Sequence, residues 1–224
     1  LKGSNTSSVL LIGHADGIDL NNPIKINSIQ SAFDLLGTSS TCPLLRGVIN
    51  AYEAGARNIF ICAAAPMSEY ISNVADRLIS TTMFDLSAAT PSSYTFYQRY
   101  YQRLATTYSI IKDMEFLDYI VPLEASIIQT GGVDFITQLT NYLSNFHDNS
   151  GYVQIGVIGS RSGGISSTDV SEIITNSVIK NRFTTYTSNG SITSDIGRYV
   201  IPIYGEGVYQ AKYMNTSYTS SLEA

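Results

Sequence analysis

Phe116-Leu-Asp-Tyr-Ile-Val-Pro-Leu123 is a short apolar run with helical sequence on either side of it. Runs of this length, rich in β-branched and aromatic residues, form strands buried on both faces, as an inner strand of a parallel sheet is. In the preceding stretch, residues 96–112, Tyr97, Tyr100, Tyr101, Leu104, Tyr108 and Ile111 recur at the spacing of one helical face. In the following stretch, residues 133–146, Ile136, Leu139, Leu143 and Phe146 do the same. Helix, strand, helix is the unit of an α/β fold. Residues 116–123 are therefore predicted to run through the middle of a mostly parallel sheet with helices on both faces, three layers in a Rossmann-like order of elements.

Toward the N-terminus, Val9-Leu-Leu-Ile12 reads as a strand closed by Gly13, and Pro23-Ile-Lys-Ile26 as an edge strand. Ser28 is placed to cap a helix over 29–36, with Gly37 as a left-handed terminator. Pro43 opens a second helix whose face is Leu44, Leu45, Val48, Ile49 and Tyr52 and which Gly55 ends. Asn58-Ile-Phe-Ile-Cys-Ala63 is a fully apolar strand. Between residues 64 and 95 the pattern blurs, with a helix expected over 69–79, and no repeat or linker splits the single domain, 1–224.

Beyond the central run, Gln129-Thr-Gly-Gly132 marks a break, and Tyr152-Val-Gln-Ile-Gly-Val-Ile158 a further strand. A helix is expected over 170–181, opened by Asp169 with Glu172. Residues 184–194 read as an exposed loop or hairpin, and 198–204 as the last strand, kept to an edge or a bulge by Pro202.

The net charge of −5 and pI near 4.9 argue against a nucleic-acid partner, whose phosphates demand basic residues. Cys42 and Cys62 lie in apolar surroundings and read as free, buried thiols. Leu1-Lys-Gly-Ser-Asn lacks a signal-peptide layout, and no apolar run approaches membrane-spanning length. With no Trp and 16 Tyr, tyrosine supplies the large amphipathic contact area, and residues 184–188 and 204–218 are its candidate contact surfaces.

Reactive chemistry is scarce. Gly156-Val-Ile-Gly159 with Gly163 and Gly164 follows a strand, yet neither a G-x-G-x-x-G spacing nor a P-loop lysine accompanies it. His14 and His147 are the only histidines; His147 falls in a polar helix end, and His14 with Asp16 is the one pair that invites a metal. There is no Gly-x-Ser-x-Gly elbow. The reading assigns no catalytic, cofactor-binding or metal residue and no cofactor, and it expects no enzyme. The rivals are a nucleotide- or sugar-phosphate-binding α/β enzyme using the loop Gly159-Ser-Arg-Ser-Gly-Gly164, and a receptor-like ligand-binding domain.

Several stretches in order resemble contractile tail sheath proteins of myophages and contractile injection particles. They are Ser8-Val-Leu-Leu-Ile-Gly-His-Ala-Asp-Gly17, Pro23-Ile-Lys-Ile-Asn-Ser28 with Phe33 and Leu36-Gly37, and Val48 through Ile61. Leu117-Asp-Tyr-Ile-Val-Pro122, residues 135–146, residues 153–159 and Asp195-Ile-Gly-Arg-Tyr-Val200 are similar to later elements of the same α/β core. The resemblance implies a virion structural protein, assembled in the host cytoplasm into hexameric rings stacked round a tail tube. Its implied partners are other sheath subunits, the tail tube protein, and baseplate and tail terminator proteins, with no direct nucleic-acid or membrane contact. It implies contraction that drives the tube through an envelope, and a core fragment with residues 64–95 as a variable insertion region and without the family's C-terminal domain and terminal arms.

Overall fold

The computed structural model describes residues 7–70, 96–125, 134–159, 185–186, 192–194, 196–203, 207–210 and 217–220. Six strands form the main sheet: β1 (Ser8–His14), β2 (Ile24–Ile26), β3 (Asn58–Ala65), β4 (Tyr119–Pro122), β5 (Ile155–Gly159) and β8 (Val200–Ile203). Their order is β2-β3-β1-β4-β5-β8. Every pairing is parallel except that of β2, which runs antiparallel along β3 as the edge strand the sequence predicts. The other edge is β8, which carries Pro202. That is where a residue without an N–H does least harm.

Helices cover both faces. α1 (Ile29–Leu36) and α2 (Pro43–Glu53) bury Ala32, Leu44, Leu45, Val48 and Ile49 against Leu11, Ile59, Ile61 and Val121. α3 (Phe96–Ile111) and α4 (Phe135–Ser150) bury Tyr100, Leu104, Ile136, Leu139 and Leu143 with Leu10, Ile12, Ile120 and Ile158. Alternate residues of β1 and β4 thus serve opposite cores, which explains why both strands are apolar throughout.

The central run is an inner strand as predicted, but only four of its eight residues pair. Phe116 is 54 % exposed, and the Asp118 carboxylate accepts the Ser8 N–H at 2.6 Å. At the other end Pro122 has no N–H to give, and Leu123 donates to the Ile12 carbonyl instead, at 2.8 Å. The longer hub is β1, seven residues held between β3 and β4.

Helix ends follow local chemistry. Ser28 caps α1 as predicted, its hydroxyl accepting from the Ser31 N–H at 3.1 Å. Gly37 has φ 75° but ψ −163°, so it closes α1 outside the left-handed helical region. Asp134 caps α4, and the polar segment around His147 is the helix end that the sequence predicts, the helix running on to Ser150. Gly151, at φ 76° and ψ −6°, ends that helix in the left-handed conformation. The strand expected over 152–158 begins at Ile155 and leaves Tyr152 and Val153 half exposed.

Residues 184–194 do contain a hairpin pair, β6 (Thr185–Tyr186) with β7 (Ile192–Ser194). β8 is not the last strand. A short helical turn (Ile196–Tyr199) precedes it, and the antiparallel pair β9 (Gly207–Gln210) and β10 (Ser217–Ser220) follows. The helix expected over 69–79 falls mostly outside the described residues, with Met67–Glu69 a single helical turn. The 129–132 break and the 170–181 helix also lie outside the described residues.

Candidate functional site at the carboxyl ends of the inner strands

An open α/β sheet binds ligands outside the carboxyl ends of its strands, where successive connections depart in opposite directions. Here the chain leaves β1 toward β3 and leaves β4 toward β5, which puts that switch point between β1 and β4. The residues that end these strands are Gly13-His14 and Pro122-Leu123.

Among the described residues, buried side chains pack at these strand ends. His14 is 1 % exposed, and its ring lies 4.5 Å from Tyr100, 5.2 Å from Phe96 and 5.3 Å from Tyr70. The Tyr100 hydroxyl reaches across both strand ends, 3.1 Å from the Ile12 carbonyl and 2.6 Å from that of Leu123. Burial pushes this phenol well above its usual range, so it stays a donor at every physiological pH.

Two ion pairs close the rim. Arg46 of α2 donates to the Glu124 carboxylate at 3.0 Å and to the Ser40 carbonyl at 3.0 Å, and the Tyr70 hydroxyl also donates to Glu124, at 3.3 Å. Both charged side chains are about nine-tenths buried. Glu124 holds this position with φ 62°, an uncommon conformation for a residue with a Cβ. Arg103 of α3 grips Glu69 through two nitrogens, one at 3.2 Å. Asp16 accepts the Met67 N–H at 3.0 Å, pinning the turn after β3 to the turn after β1.

This arrangement fixes positions at the strand ends. Cys42 directs its thiol at the His14 carbonyl, 3.7 Å away, and burial raises its ionisation above the usual 9.0. Burial takes the Cys62 thiol further, to about 12. A thiol that stays protonated at neutral pH is a poor nucleophile and metal ligand. Both cysteines are free and buried, as the sequence predicts.

The sequence-predicted groups scatter. His14 and Asp16 share one strand end, but the imidazole sits among aromatic rings and the carboxylate is spent on backbone. His147 lies beside the entry to β5, Nδ1 3.2 Å from the Tyr152 carbonyl, so the two histidines occupy opposite ends of the sheet. Gly156 lies inside β5 against Leu139 and Leu143, and Gly163 and Gly164 fall outside the described residues. No group of three or more His, Cys, Asp or Glu among the described residues is placed to hold a metal ion. No helix among them is long and apolar enough to cross a membrane. Sequence reasoning missed the Arg46–Glu124 pair; the available signal was an arginine set between Leu45 and Gly47 on an apolar helix.

Among known proteins, no family model and no curated sequence matches the chain.

Proposed function

We propose that the chain is a structural subunit of a contractile tail sheath, polymerising as hexameric rings round a tail tube and contracting to drive it through a target envelope. The observation that carries this reading is how the described residues use the switch point. Where α/β enzymes keep a ligand crevice, the His14 ring packs on Tyr100, the Tyr100 hydroxyl bonds the strand-end carbonyls, and Arg46 pairs with Glu124. A sheath subunit needs such bracing, because contraction re-packs rigid bodies and draws its free energy from the difference between two packings. No cofactor enters, and no bond is made or broken on the subunit.

The order of motifs along the sequence supports the same reading, and the α/β core is what that resemblance implies. Phe116, Tyr152, Val153 and Ile201 are each about half exposed, which is apolar surface available to neighbouring copies. The proposed partners are further sheath subunits, the tube, the baseplate and the tail terminator, in a phage tail. Negative-stain electron microscopy of the product of the whole reading frame is expected to show rings or tubes. Dispersed monomers whose melting temperature rises with a nucleotide or sugar phosphate would overturn the proposal.

A further inference from the structure

We draw no further inference here: the strongest candidate, the apolar flank beside the edge strand β8 where Tyr152, Val153 and Ile201 are each about half exposed, carries nothing because nothing in the structure shows what covers it.

Discussion

Arg46 and Glu124 are the residues on which the closed end of the sheet depends most. Their side chains are about nine-tenths buried, so water compensates little when either partner is lost. Glu124→Ala takes the carboxylate away from a buried guanidinium that still donates to the Ser40 carbonyl, and urea unfolding should register a loss of about 3–5 kcal/mol. The double substitution Arg46→Met with Glu124→Leu removes both charges and should recover most of that loss. A double variant as unstable as the single one would mean that the pair's geometry, rather than an uncompensated charge, sets the cost. The local sequence announces at most an arginine on an apolar helix, and its partner stands 78 positions away. His14 is a related case. The sequence shows a histidine after a strand, which reads equally as ligand or core, and only the approach of α3 surrounds it with rings.

At the scale of elements, legibility follows whether the deciding signal is local. Both ends of α1 can be read to the residue because Ser28 and Gly37 act within a few positions of the chain. The end of α4 cannot, since Asn145 through Asn149 read as a polar helix end and only Gly151 shows that the helix runs on to Ser150. Strand lengths are set by partners: β5 pairs with β4 at only two positions, which the composition of residues 116–123 could not convey. The packing of β5 on α4 yields a prediction of its own. A Cβ on Gly156 would stand 2.6 Å from Leu139 Cδ2 and 2.9 Å from Leu143 Cδ1, and both leucines are fully buried. Gly156→Ala should therefore cost about 1–3 kcal/mol through overpacking, shifting the urea midpoint with an unchanged slope. Combining it with Leu139→Ala should cost less than the two losses added, since each substitution relieves the other. Strict additivity would mean that α4 does not seat on β5 at this glycine.

Over the whole molecule, the abundance of tyrosine becomes a pH response. Tyr100, Tyr108 and Tyr142 are buried in the layer that α3 and α4 form on the sheet, and desolvation raises the ionisation of all three above the usual 10.0. Cys62, on the same side, is raised to about 12. In each case the unfolded chain loses its proton first. The native state binds more protons than the unfolded state at alkaline pH, so stability falls as pH rises. The contribution of these groups is complete below about pH 8, where neither state ionises them, and it declines as the unfolded thiol and then the unfolded phenols titrate. Each suppressed group adds a slope of about 1.4 kcal/mol per pH unit, so three phenols and a thiol acting together exhaust a typical domain's stability within two or three units. Urea midpoints measured from about pH 7 to pH 11 should hold level and then drop steeply. Phenolate absorbance from these tyrosines should appear only with unfolding, while surface tyrosines titrate beforehand. Tyr108→Phe takes one group out of the linkage and should make the decline shallower by one such increment. A stability that stays level through the alkaline range would place these phenols in contact with water, and the packing of α3 and α4 on the sheet would need a different account.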